Sequence, residues 1–200
     1  MKRLCSRAVV PLAMLLLSAV LCVYVYRMPE SVADPLPVLM YHHMVPDGQD
    51  CNDMTVTPGK FRSDLDAILA KGYTPVLPRE LAAGDALPEK PILITFDDGY
   101  VDNYENAYPI LKKYHMRGTI FLIINLMNTP GYLTWDQVKE MSADGMEFGS
   151  HTISHKPLTS FDRAGVRHEL QDSKDIIEKM TGKPCHFIAF PEGKYNDMVM

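Results

Sequence analysis

Two carboxylates stand side by side in Leu93–Tyr100, LITFDDGY, where an apolar run ends, and two histidines stand four apart in Ser150–His155, SHTISH. Adjacent Asp97 and Asp98 repel each other, and a buried unpaired carboxylate is costly, so the pair demands a positive partner or a chemical task. Two imidazoles and one carboxylate make a three-ligand set for a zinc-like ion, with one position left for water. On a helical turn, the spacing of His151 and His155 points both rings the same way. Alone, such a pair also fits two partly exposed loop histidines. Joined to the Asp pair at another strand end, the metal reading is the stronger one.

Residues so far apart in sequence need elements that bring them together. VLMYHH reads as a short strand from about Val38, with His42 and His43 at its end, where they either approach the rim or serve the structure. Pro58–Lys71 reads as a helix capped by Thr57, with Phe61, Leu65, Ile68 and Leu69 on its inner face. YTPVL is a second strand, and PILITF (91–96) is a continuous apolar run of the kind buried on both faces. Tyr104, Ala107, Tyr108 and Leu111 mark a helix over 103–114, and GTIFLII marks another buried strand. Thr134 caps a helix with Trp135, Val138 and Met141 inside. MEFGS is the next strand, a long helix runs from about Asp162 to Met180, and HFIAF is the last strand. His115 and His168 fall on helices, where they are solvated, and His186 begins a strand. Alternating strands and helices predict parallel strands with helical crossovers. In such folds functional groups gather at the carboxyl ends of the strands, which is where Asp97, Asp98, His151 and Pro191–Gly193 lie.

The chain has 200 residues, 46% of them hydrophobic, and a net charge of -5. Lys2, Arg3, Arg7 and Arg27 lie in a leader without acids, so the body is more acidic still. That excludes nucleic acid as a partner, since phosphate binding needs a positive footprint. Ala8–Tyr26 is uncharged and mostly apolar, close to the length that spans a bilayer. Residues 1–27 therefore read as a signal-anchor, with a cleaved signal peptide ending at Ser31–Ala33 as the alternative. Pro-rich residues 28–36 read as a linker, and residues 37–200 as the folded domain. The basic leader keeps its side in the cytoplasm, giving a single-pass cell-membrane protein with an extracytoplasmic domain, or a secreted one if the signal is cleaved. Cys51 and Cys185 either form a disulfide outside the cell or remain free thiols. No C-x-x-C is present, which argues against a zinc-thiolate site.

TFDDGYVDNY (95–104), GTIFL (118–122), HTISH (151–155) and FPEGKYN (190–196) resemble the successive motifs of the polysaccharide deacetylase family, the NodB homology domain of carbohydrate esterase family 4. The resemblance runs from about Pro37 to Met200. It implies a deformed (β/α) barrel, incomplete at its C-terminal end, and metal-dependent removal of acetyl groups from a glycan. Carried over by motif, Asp97 is the catalytic base. Asp98, His151 and His155 hold a divalent metal, expected to be Zn2+, and the backbone N–H of Glu192 faces the oxyanion. Tyr100, Pro191 and Tyr195 are candidate substrate contacts. The implied partners are acetylated polysaccharides: peptidoglycan, poly-N-acetylglucosamine or chitin-like chains, with acetylated xylan as a further option.

The sequence departs from the family pattern in three places. Ala189 stands where many members carry an arginine that orients the base, so Asp97 must be held otherwise. Glu192 stands where an aromatic is common. Seven residues follow Gly193, whereas the family continues to a leucine-histidine motif whose histidine is the general acid. The expectation is a fragment or a truncated product, slow or inactive by itself. A non-enzymatic alternative is a glycan-binding surface module, with Tyr100, Tyr104, Tyr132, Trp135 and Tyr195 stacking on sugars. A metal-dependent phosphatase is disfavoured, because neither an alternating D-x-D nor basic groups for phosphate are present.

The leader makes a prediction of its own. Protease added to intact cells with an accessible surface is expected to degrade residues 28–200, and retention in the membrane fraction after a high-salt wash separates an anchor from a cleaved signal.

Overall fold

The computed structural model of the chain describes residues 36–49 and 51–200. The expected leader, almost all of the linker and the membrane anchor lie outside the described residues. Among those described, no helix is long and apolar enough to cross a membrane.

From Thr55–Val56 onward strands and helices alternate as the sequence predicts, with the strands His43–Met44 and Thr55–Val56 and the short helix Pro78–Ala83 as additions to that reading. β1 (Val38–Tyr41), β2 (His43–Met44) and β3 (Thr55–Val56) precede α1 (Pro58–Ala70), β4 (Thr74–Val76), α2 (Pro78–Ala83) and β5 (Pro91–Phe96). A π-helical turn, Asn103–Ala107, runs into α3 (Tyr108–Lys113). Next come β6 (Thr119–Leu122), α4 (Trp135–Ala143), β7 (Glu147–Ser150) and α5 (Arg163–Thr181). The π turn has a covalent cause: Pro109 has no N–H for the next helical bond, and Tyr108 N reaches back to Asn103 O.

Every strand pairing is parallel. β5 pairs with β1 (Val38 opposite Leu93), with β4 (Thr74 opposite Pro91) and with β6 (Thr95 opposite Thr119), and β6 pairs with β7 (Thr119 opposite Glu147). β2 and β3 form a separate two-stranded ribbon. This is the parallel α/β sheet of an incomplete (β/α) barrel. β6 and β7 are buried along their whole length, as strands covered on both faces must be.

The helices are built as their sequences require. The Thr57 side chain accepts from Lys60 N, Thr134 and Gln137 form a reciprocal capping box, and Asp162 accepts from Gly165 N. Phe61, Leu65 and Ile68 of α1 are buried, and Phe61 meets the rings of Tyr41 and Phe96 edge-on at 5.0 and 5.8 Å. Leu69, expected on the same face, is 51% exposed, because it falls at the margin of the apolar stripe and turns out of it.

One other expectation is corrected, and one left open is settled. HFIAF is not a regular strand: it touches β7 at one bridge, Ser150 to Ile188, with Ser150 N donating to Phe187 O and Ala189 N to Ser150 O. A single bridge still fixes Ala189 beside the end of β7. Cys51 is exposed and Cys185 buried, and both are free thiols rather than a disulfide.

β7 approaches its neighbours so closely that Gly149 has no room for a side chain. A Cβ there would lie 2.5 Å from the Phe121 ring and 3.1 Å from Phe187 O. Gly149→Ala is expected to lower unfolding stability by about 1–3 kcal/mol, read from denaturant midpoints, because the ring and the 187–189 backbone must both give way.

Candidate active site

Three strand ends deliver the polar groups. β5 ends directly before Asp97, whose N–H donates to Tyr41 O at the end of β1. Asp98 adopts a left-handed conformation (φ 72°), followed by Gly99 (φ 77°), so the chain reverses sharply between the two carboxylates and Tyr100. β7 ends before His151, and the bridge to Ile188 brings Ala189 alongside.

The structure brings Asp98, His151 and His155 together. Asp98 Oδ1 lies 3.4 Å from His151 Nε2 and 3.3 Å from His155 Nε2, and the two Nε2 atoms are 3.2 Å apart. Asp98 Oδ1 is buried and has no hydrogen-bond partner. The His151 Nδ1–H donates to Ala189 O at 2.8 Å, which fixes the ring and turns its Nε2 lone pair into the cluster. The convergence does not come from a helical turn. Residues 151–156 form an irregular loop in which Thr152 (φ 68°) and His155 (φ 60°) are left-handed. One carboxylate and two imidazoles around an orphaned buried oxygen fit a divalent cation, and these three would be its protein ligands.

The surrounding field is consistent with that fit. Burial raises the Asp97 carboxyl above the usual range, and neighbouring Asp98 adds to the rise, while His151 and His42 oppose it. Burial also acts on Asp98, but the adjoining His151 and His155 rings outweigh it and hold the carboxyl below its usual range. Burial pulls His151 down, yet Asp98, Asp97 and the Ala189 carbonyl more than compensate and its pKa is raised. His155 is lowered, by burial first and by His151 second. The opposed imidazole shifts mean that the cluster favours positive charge but resists a second proton.

His42 Nε2 lies 4.0 Å from Asp97 Oδ2, with both side chains largely buried. His43 donates through Nδ1 to Asp102 Oδ2 at 2.7 Å, and Asn103 Nδ2 donates to His42 O at 2.8 Å. The residues after the Asp pair thus tie the end of β1 to the turn that carries the carboxylates.

Other expected contacts are placed differently. Tyr100 stacks on His43 (3.4 Å between centroids) and on Tyr132 (5.0 Å). Pro191 is buried, whereas Tyr195 is 62% exposed beside Phe190. Tyr104 donates to Glu140, and Trp135 packs partly into the core. Glu192 is left-handed (φ 56°) and near enough for its charge to act on His155. His115 and His186 are exposed, and His168, also exposed, pairs with Asp172.

With this geometry in hand, the sequence profile of polysaccharide deacetylases matches residues 84–200. The chain belongs to the polysaccharide deacetylase family. It is 38% identical over 166 residues to YxkH of Bacillus subtilis, covering 81% of this chain and 58% of that protein. It is 33% identical over 124 residues to the poly-beta-1,6-N-acetyl-D-glucosamine N-deacetylase of Staphylococcus epidermidis, covering 55% and 43%. The chain thus spans about half the length of these curated relatives. Among solved structures, the Streptococcus pyogenes deacetylase PplD in complex with acetate superposes with a TM-score of 0.74 at 34% identity, covering 82% of this chain and 76% of that one.

The ligand assignment is checked by Zn2+ titration of the metal-free chain. Asp98→Ala, His151→Ala and His155→Ala are each expected to weaken binding by more than the roughly 10 to 100-fold that outer partners cost, while Asp97→Asn keeps it. Equal loss in Asp97→Asn would reverse the roles of the two carboxylates.

Proposed function

We propose that this chain is a metal-dependent hydrolase that removes acetyl groups from N-acetylglucosamine-containing cell-surface polysaccharide, with Zn2+ as its cation. The observation that carries the reading is the convergence of Asp98, His151 and His155 on one orphaned oxygen, directly beside a second buried carboxylate. Family membership supports it, and so do relatives named for deacetylation of peptidoglycan N-acetylmuramic acid and of poly-N-acetylglucosamine. The acetate bound by PplD is the acid that amide hydrolysis of an acetamido sugar would release.

When bound, such a cation supplies positive charge that lowers the pKa of water and offsets negative charge growing on an acyl oxygen. The remaining work falls to the chain. Asp97, with a carboxyl already raised by burial, is suited to take a proton on Oδ2 from water attacking the acetyl carbon. His42 Nε2, 4.0 Å from that oxygen, is a polar neighbour beside it. Ala189 O holds His151 in the tautomer that leaves Nε2 free. The Glu192 backbone, turned left-handed at the rim, is assigned to the acyl oxygen through its N–H. Exposed Tyr195, beside Phe190, is the sugar-facing aromatic in this reading. We further propose that the domain works outside the cytoplasmic membrane, on the strength of the basic, apolar leader.

Acetate release from N-acetylglucosamine oligomers by the zinc-loaded chain is the direct test. Asp97→Asn is expected to lower turnover by about 10² to 10⁴-fold with Zn2+ still bound. Zinc-independent turnover would sink the metal mechanism, and oligomer binding without acetate release would leave a glycan-binding module.

A further inference from the structure

The loop that carries two of the candidate ligands has a backing in helix α5. Between His151 and His155 the chain forms no helix or strand, and its amides need partners. Ile153 N and Ser154 N both donate to Glu169 Oε2 at 2.9 Å, and the Ser154 hydroxyl donates to Glu169 Oε1 at 2.8 Å. Glu169 is 3% exposed and makes no ion pair among the described residues. Its carboxylate is spent on this loop.

One helical turn later, buried Ser173 donates to Leu170 O, so at 2.6 Å it accepts from the Ser150 hydroxyl. Ser150 Oγ in turn accepts from Thr152 N at 3.0 Å. From the other side, Ile124 N and Asn125 N donate to the carbonyls of Thr152 and Ile153 at 3.2 and 3.0 Å. Apart from the Ser173 bond to Leu170 O, each of these bonds lands on residues 150–154, and the left-handed Thr152 and His155 lie within or beside the gripped segment.

We infer that Glu169, backed by Ser173, is a positioning residue for the candidate metal centre: its carboxylate clamps the 153–154 amides and presets both imidazoles on Asp98. The inference rests on the metal reading of the preceding section. A carboxylate buried without a cation is an expensive way to fill a core, whereas bonds from two amides and a hydroxyl fix a loop that has no regular structure to fix it. Without the clamp, ordering the loop would be drawn from the cation's own binding free energy.

The test uses the full chain, metal-free, and reads two quantities: Zn2+ affinity by calorimetry and hydrogen exchange at the Ile153 and Ser154 amides. Glu169→Ala is expected to weaken Zn2+ by about 10 to 100-fold, as outer partners of metal ligands do, and to speed exchange at both amides while circular dichroism stays that of the parent. Glu169→Gln, whose one carbonyl oxygen can still accept both amides, is expected to recover most of the loss. Parent-like Zn2+ affinity in a folded Glu169→Ala chain would overturn the inference, even if its melting temperature fell. If Glu169→Ala does not fold, Glu169→Asp decides, because it keeps the charge and withdraws the oxygens by one methylene. Faster exchange with weaker Zn2+ supports the clamp, and parent values in both overturn it. A parent chain that binds no Zn2+ would sink the metal reading and the inference together, a result distinct from any variant failing beside a competent parent.

Discussion

Two adjacent carboxylates, both nearly excluded from water, set the terms for everything around them. Their repulsion and desolvation must be met by positive charge, and among the described residues no lysine or arginine pairs with them: the groups facing them are imidazoles. His151 is drawn toward its charged form and His155 away from it, so the imidazoles meet the carboxylate charge only in part, and a divalent cation fits the remainder. Asp98 Oδ1 is left without a donor in a fold that otherwise finds partners for most of its buried polar atoms.

The backbone bears the cost of holding that arrangement. Asp98, Thr152, His155 and Glu192 all take left-handed conformations without being glycine, and all lie at the site. Each costs of order 1–3 kcal/mol, which persists only where the surroundings over-determine it. They do so through the parallel sheet. β5, β7 and the bridged 187–189 segment end at one rim, and the bonds from Asn103 to His42 O and from His151 to Ala189 O cross between those ends.

What could be read in the sequence follows from what kind of signal each feature leaves. The Asp pair was legible because an apolar strand of six residues runs straight into it. The strand and helix alternation was legible because hydrophobic period and capping residues are local. His151 and His155 were found by their spacing, although the helical turn used to justify it does not exist; a loop with two left-handed residues achieves the same convergence. Sequence reasoning missed what acts through the main chain. Ala189 lacks the arginine side chain but contributes its carbonyl, and a carbonyl has no residue type. Leu69 was misjudged because periodicity cannot show where an apolar stripe ends. HFIAF has the composition of a strand, but pairing is a tertiary event, and β7 meets it at only one point.

The all-parallel sheet also governs how the site comes into being in time. No two neighbouring strands of it are joined by a hairpin, so each pairing closes a loop long enough to hold a crossover, and the loop entropy is spent before any contact repays it. The groups at the rim range from His42 to Ala189, so a nascent chain holds an incomplete ligand cluster until most of the domain has been made. Slow assembly of this kind leaves apolar strands such as β6 and β7 open to wrong partners meanwhile. A cation that recognised only the finished cluster would act on the folding equilibrium itself, drawing the population toward the native state by mass action.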